Sequence, residues 1–567
     1  MKKSWMHGAL ILVAATTLAA GTFVRKAAAD DDHGDHPHFF QFVPGTLVLS
    51  RSVYVGNAST VTIGETLPLG CVGGANGSST VNVPQLTGGT TPVTVPCGVA
   101  SDNGEYPNLR DSHNVWNNAN TDGSFGVTSP IFLDNLTTNG WPLGTLPIPA
   151  DQIVTSFSSK SELALNRSAD GRSLTFVAYQ GGPGCGGFPV SPTAPNLLDV
   201  SNANTPGVCD PTNPIISSVS ETGNPTAYYR AVAEVDAQGH LTITDGNAYS
   251  GDNGRAALKA ANGLYYMAGN DNSGNLSKKQ LTSTQDGVNL VNATGAELLV
   301  PHATPPLPPN ITMIGRLEIG TDKPGKDTNF RGLTIFNNTL YISKGSGSNG
   351  INTVYQVGTP GVLPNGTAAT LATVPITILP GFPDTTASTS TAFPFGLFFA
   401  NASTLYVCDE GDGTLVTPAV NGNVADAQTL ATAGLQKWVL QTDGSWKMVY
   451  VLQDGLNIGV PYSVRNYPAS LDPATDGCRN IAGHVNFDGT VDIYAITSTV
   501  SANGDTGADP NKLVKVTDVL SATTLPTPSE GWGGFIGRFI TLRSARAGEV
   551  FRGVTFAPED YPQPWGF

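Results

Sequence analysis

A chain of 567 residues with 13% charged side chains, 66 glycines and 41 prolines is too long for one ordinary domain unless an internal repeat accounts for it. Its formal charge of −15, from 44 acidic against 29 basic residues, argues against a nucleic-acid partner, which needs a basic face to neutralise phosphates. Abundant Thr, Asn, Ser and Val favour strands and tight turns over helices, so the expected fold class is all-β.

Taken in chain order, the first element is a leader. MKKSWMHG is followed by the apolar run 9–24 and by Ala27-Ala28-Ala29 before an acidic stretch, the three-part layout of a secretory signal expected to be cleaved after Ala29. The run is shorter than the roughly 20 residues that cross a bilayer, so no membrane insertion is expected once residues 1–29 are removed. The leader carries Lys2, Lys3, Arg25 and Lys26 and no acid, which leaves 44 acids against 25 bases, or −19. A secreted or periplasmic protein is expected. Residues 30–42 form an acidic tail with His33, His36 and His38 among aspartates, a composition that holds transition metals loosely.

From 43 to 567 one phrase returns: SELALNRSADGRSLTFVAY (161–179), NGRAALKAANGLYYMAG (253–269), NFRGLTIFNNTLYISKG (329–345), FPFGLFFANASTLYVCDEG (393–411) and GCRNIAGHVNFDGTVDIYAIT (477–497). Each is an apolar strand, an elbow of Asn, Asp and Gly, and a second strand rich in aromatic or β-branched residues, which predicts a β-hairpin. Further hairpins lie between them at 231–246 and 435–452. Two hairpins make a four-stranded antiparallel blade, and radial repetition of blades makes a propeller. The opening strands 45–56 and 129–136 lack an inner strand, while FRGVTFAP (551–558) lacks outer ones, so the termini are expected to complete one blade and cover its edges. Six inner strands are counted, and ITMIGRLEIG (311–320) can supply a seventh blade. Residues 57–128, 180–227, 270–310 and 411–433 are expected to be loop insertions, where binding and catalysis tend to sit.

Six cysteines in an exported chain predict disulfides. Pairing neighbours gives Cys71–Cys97, Cys185–Cys209 and Cys408–Cys478.

Superposing the phrases aligns Glu162, Arg255, Arg331, Phe395, Arg479 and Arg552 near the start of each inner strand. Four arginines around one ring can make a cationic cup for a carboxylate, sulfate or phosphate. Alternatively each braces its blade against a neighbour, because repeat positions mostly record architecture. CDEGDG (408–413) sets Asp409, Glu410 and Asp412 together, oxygens that suit Ca²⁺ or an acid/base pair. Ca²⁺ is the one cofactor these residues suggest. NGDTGADPN (503–511) spaces Asn503, Asp505 and Asp509 in a similar loop. Neither segment has the EF-hand spacing. His484 follows Arg479 on an inner strand and is a candidate general base or a hydrogen-bonded structural histidine. Trp116, Trp141, Trp532 and Phe535 can stack on sugar faces or seal loops. No serine-hydrolase elbow, HExxH or phosphate loop occurs in the mature chain.

The segments RSADGRSLTF, NAYSGDNGR, FRGLTIFNNTLYISKG, FGLFFANASTLYVCDEG and FRGVTFAPED resemble a group of exported bacterial β-propeller proteins, with NHL and lactonase-like propellers as distant structural relatives. The resemblance spans most of the mature chain outside the loops. It implies fold and export and carries no activity, since such propellers include enzymes and binding modules alike.

Two functions follow. The first is a binding or scaffolding propeller whose partner is an extracellular saccharide or a protein. The second is a hydrolase or lyase acting on an acidic sugar, lactone or ester, with the arginines holding a carboxylate and His484 working with Asp409 or Glu410. An enzyme would gather these groups around a pocket, whereas a scaffold would saturate the arginines with ion pairs.

Overall fold

The computed structural model describes residues 40–53, 128–180 without 151 and 158–161, 230–246, 254–269, 330–345, 351–371, 373–385, 392–413, 431–467, 469–501 and 507–560 without 508, 532 and 533, with the backbone of short strands between them. The expected leader, His33, His36 and His38 lie outside these residues. So do the side chains of Cys71, Cys97, Cys185, Cys209, Trp116, Trp532 and Phe535, and with them two of the three expected disulfides.

The described residues are almost wholly β-structure, and their sheets form a propeller ring of four-stranded antiparallel blades. Sheet 1 joins the termini in the order Glu549–Phe556, Leu47–Val53, Ile131–Leu136, Pro142–Pro147. The last inner strand thus pairs along the whole length of the first strand of the domain, from Leu47 opposite Phe556 to Val53 opposite Glu549. Sheet 2 has three full strands, Ser173–Gln180, Arg230–Asp236 and Leu241–Gly246, and an inner edge broken into Ile153–Ser156 and Asn166–Arg167. Sheets 3 to 6 begin with the inner strands Gly254–Lys259, Phe330–Phe336, Pro394–Asn401 and Ala474–Val485. Sheets 1 and 3 to 6 are therefore five regular blades among the described residues, not the six or seven expected from the phrases, because the inner edge of sheet 2 is broken and 311–320 divides between sheets 3 and 4.

The hairpin elbows form for the reasons legible in sequence. Phe336 pairs with Thr339 across a two-residue loop, and Asn337 and Asn338 take φ of 46° and 55° there, the left-handed pair that a type I′ turn demands and asparagine tolerates. Glycine follows three of the six aligned positions, Arg331, Phe395 and Arg552, for a separate reason. A Cβ on Gly332 would stand 2.2 Å from the carbonyl oxygen of Phe395, and one on Gly396 would stand 2.3 Å from that of Arg479. Neighbouring inner strands pass too closely for any side chain at these points. The same contacts close the ring: Ser50 Oγ donates to Leu163 O at 2.8 Å, Asn166 Nδ2 to Ala257 O at 3.0 Å, Ser343 Oγ to Phe395 O at 2.5 Å, and Val554 N to Asn480 Oδ1 at 2.6 Å.

Three expectations need correction. Residues 311–320 do not build a blade of their own: Ile311–Met313 is the outer strand of sheet 3, and Arg316–Leu317 adds in parallel to the edge of sheet 4. The supposed insertion 270–310 contains a blade strand, Ala296–Leu299, hidden in the sequence by its shortness. The tail assigned to 30–42 ends early, because Phe42 is buried against Ile153 and Phe176 and its amide donates to Ala237 O at 2.9 Å.

The sheets are glued face to face by aromatic and aliphatic side chains. Between sheets 4 and 5 the rings of Phe382 and Trp438 stack with centroids 3.8 Å apart, and Phe336 lies on Phe399 at 4.8 Å. Between sheets 5 and 6 a buried polar cluster is set into the apolar layer: Lys437 Nζ lies 3.1 Å from Asp518 Oδ2, and Tyr406 and Tyr450 both donate to that carboxylate. The expected Cys408–Cys478 bond is present and joins the same two sheets.

Candidate functional site

All four aligned arginines are buried, and each is engaged by the protein. Arg479 Nε donates to Glu410 Oε2 at 3.0 Å, and Arg331 Nε lies 3.7 Å from Glu410 Oε1 while donating to Gly345 O at 2.8 Å. Arg255 donates to Phe330 O, and Arg552 to Phe157 O and Ser52 Oγ. Glu162 and Phe395, at the equivalent positions, are also buried. Each arginine links its own sheet to a neighbouring one, and Glu410, just beyond the strand Thr404–Asp409, clamps two of them. The bracing reading matches this arrangement.

The carboxylates of 408–413 are likewise spoken for. Asp409 is fully buried and accepts from Phe393 N, Gly411 N and Gln436 Nε2. Burial pushes its acid up to about 8, and the nearby charges of Glu410 and Asp476 add to the rise. Asp476, on the adjoining inner strand, is pushed up to about 7 by burial first and then by Asp412 and Glu410, against the opposing pull of the Gly413 amide and Arg479. Asp412 is half-buried. Among the described residues no group of three His, Cys, Asp or Glu side chains is arranged to hold a metal ion, so the expected Ca²⁺ finds no such cluster there. Asp509 from the second acidic loop is buried and accepts from Tyr467 Oη and Ser501 Oγ, both at 3.0 Å.

These shifts make a pH prediction. An acid whose folded value lies near 7 rather than the ordinary 3.8 keeps its proton in the native state where the unfolded chain has released it. Its contribution is fully present below about pH 4 and is lost as pH rises through 7. Asp476→Asn should therefore match the wild type at pH 4 and exceed it at pH 8, by up to about 4 kcal/mol. Thermal melts at pH 4, 6 and 8 would show it, with Asp409 keeping part of the slope. A variant less stable at pH 8 would refute the assignment.

The structure does not bring His484 to this cluster. Arg479 lies midway along its inner strand and His484 near the end, five residues on, which at roughly 3.3 Å per residue is about 16 Å along the strand. The ends of the inner strands of sheets 1, 5 and 6, with Arg167 from sheet 2, line a different feature, a cavity of about 690 Å³. Phe398, His484, Phe487, Tyr494 and Phe556 give it aromatic walls, and Arg167, Asp492 and Glu559 give it charge. His484 lies across from Asp492 in register, with its ring 6.0 Å from that of Phe556. Asp492 is held by Lys515 Nζ at 2.9 Å and by Thr517 Oγ1 at 2.5 Å. Phe487, at the tip of the Asn486–Gly489 elbow, is fully exposed at the rim. Trp141 is 72% exposed on the far edge of sheet 1 and does not line the cavity.

Of the sequence-derived site residues, only His484 reaches this cavity. The other lining residues stand away from the aligned positions at the starts of the repeated phrases. The available signal was at their ends, where Phe398 and Phe399 precede one elbow and His484 and Phe487 flank or occupy another.

No family model matches the sequence, and no curated protein matches it. Solved structures give faint likenesses. A glucose dehydrogenase has 11% identity over 66% of this chain and 93% of its own, with a TM-score of 0.28. The xylosidase/arabinofuranosidase CoXyl43 from a compost microbial metagenome has 11% identity over 72% of this chain and 96% of its own, at 0.26. An apocarotenoid oxygenase mutant from Synechocystis has 9% identity over 92% of this chain and 97% of its own, at 0.32. Likenesses at that level carry no argument about chemistry, and the propeller reading stands on the sheets themselves.

Proposed function

We propose that this chain is an exported β-propeller that binds a saccharide in the cavity at the end of the inner strands. Sheet 2, with its broken inner edge, is read as the sixth blade. The observation that carries the function is the lining: six aromatic residues, His484 among them, and three charged side chains around about 690 Å³, a volume within the range of roughly 300–1,000 Å³ usual for small-molecule sites. Flat apolar rings match the C–H faces of a pyranose, while a few convergent polar groups match its hydroxyls. The hydrolase or lyase reading built on His484 with Asp409 and Glu410 lacks support, because those groups sit at opposite ends of the strands and the arginines meant for a substrate carboxylate are bound within the protein.

The test is calorimetric titration of the mature chain with neutral and acidic disaccharides. A member of the panel should bind to the wild type, and Phe487→Ala should weaken it about tenfold, as expected for loss of one stacking ring. Phe487 is solvent-exposed, so its removal should leave the melting temperature unchanged. No saccharide bound by the wild type would overturn the reading.

A further inference from the structure

The cavity holds a carboxylate that the protein does not saturate. Glu559 is only 6% exposed and lines the cavity wall, yet no hydrogen bond reaches its oxygens among the described residues. Its one partner is Arg167 Nη2, 3.5 Å from Oε1, longer than a normal charge-assisted bond. Glu559 and Arg167 are positioned by the same turn: the amide of Glu559 donates to Gly171 O at 3.0 Å, and Arg167 Nε donates to that same oxygen at 3.1 Å. The turn's left-handed residue is Gly171, with φ 72°. The Arg167 side chain and the Glu559 backbone are thereby fixed at one point, while the Glu559 carboxylate lines the cavity with lone pairs that take no hydrogen bond from the described residues.

The orphaned atom in this wall is Arg167 Nη2, buried and without a hydrogen-bond partner, and a buried donor left unsatisfied is costly, so the pair calls for a ligand acceptor. A carboxylate accepts only, and a guanidinium donates only. Side by side, the two present an acceptor and a donor a few ångströms apart, which suits adjacent hydroxyls of a sugar ring, one donating to Glu559 and the next accepting from Arg167. The same pair disfavours an anionic ligand, because a second carboxylate would meet Glu559, and Asp492 as well, in a poorly solvated site.

We infer that the Arg167–Glu559 pair is the polar anchor of the cavity and that it selects a neutral saccharide with adjacent free hydroxyls over a uronic acid. The inference rests on the saccharide reading of the cavity. It differs from the expectation drawn from the arginine ring, which favoured acidic sugars; the charges that face the ligand are these and not the inner-strand arginines.

The experiment is titration of the full mature chain with maltose, cellobiose and lactose, and with the uronic acids of the same sugars, at low and high salt. The wild type should bind a neutral disaccharide at least tenfold more tightly than the matching acid, with little salt dependence. Glu559→Ala should lose about 10- to 100-fold for the neutral sugar, the range for a hydrogen bond to a charged group. Glu559→Gln, which keeps the shape and one acceptor oxygen, should narrow the preference against the acid. Far-ultraviolet circular dichroism and a melt separate loss of binding from loss of fold; if Glu559→Ala unfolds, Glu559→Gln alone decides. Preference of the wild type for a uronic acid, or neutral-sugar binding unchanged in a folded Glu559 variant but weakened in Phe487→Ala, would overturn the anchor and leave the saccharide site standing. No binding of any sugar by the wild type would overturn both.

Discussion

Asp518→Ala should lower the thermal midpoint of this protein severely, with a loss of about 3–5 kcal/mol, the cost of breaking a buried ion pair from one side. Lys437 and Asp518 have no exposed side-chain surface, and they come from different sheets. The ammonium is surrounded by the carboxylate, Tyr450 Oη at 2.9 Å and Val519 O at 2.7 Å, with the rings of Tyr406 and Tyr450 5.6 and 5.2 Å from it. Burial lowers the lysine's pKa and Asp518 holds it up. Without Asp518 the desolvated charge keeps only neutral partners, and Tyr406 and Tyr450 lose the acceptor of their hydroxyls. Lys437→Met/Asp518→Ala should recover much of the loss, because the double variant leaves no unpaired charge. Differential scanning calorimetry of the two variants checks this. If the single variant melted within a degree of the wild type, the cluster would have no part in joining sheets 5 and 6.

Glu410→Ala should have an effect of the same order, about 3–5 kcal/mol, for a related reason. It leaves Arg479 and Arg331 without the carboxylate that lies between them, each buried on its inner strand. Removing Glu410 also removes a charge that raises Asp409 and Asp476, so both acids should fall toward ordinary values. The variant's stability should consequently decline less steeply between pH 5 and 8 than that of the wild type. Saccharide binding should persist in any fraction that folds, because the cavity lies at the opposite ends of the strands. A Glu410→Ala protein that keeps its stability while losing sugar binding would reverse this assignment and return the arginine ring to function.

What the chain alone determined was the architecture. Alternating apolar positions, Asn- and Gly-rich elbows and an orphaned terminal strand are short-range features, and β-hairpins are set by short-range physics. They predict antiparallel four-stranded sheets and the pairing of 551–558 with 45–56, which the termini make. The bond between Cys408 and Cys478 was also reached from the sequence, by pairing neighbouring cysteines. The recurring arginines were correctly aligned, yet whether they face a ligand or a neighbouring strand depends on Glu410 and on backbone carbonyls from adjacent blades, which no spacing reveals.

The cavity belongs wholly to the tertiary structure. Its walls come from residues as distant in the chain as Arg167, Phe398, His484 and Glu559, carried by sheets 1, 2, 5 and 6 or the segments just beyond their strands, and they meet only because the ring closes. Strand length decided the fate of His484: adjacency in sequence to Arg479 became separation in space, since an extended chain carries successive residues apart at roughly 3.3 Å each. Local sequence could specify the blades because each blade is built from neighbours. It could not specify the site, because the site is made where blades that are strangers in sequence converge.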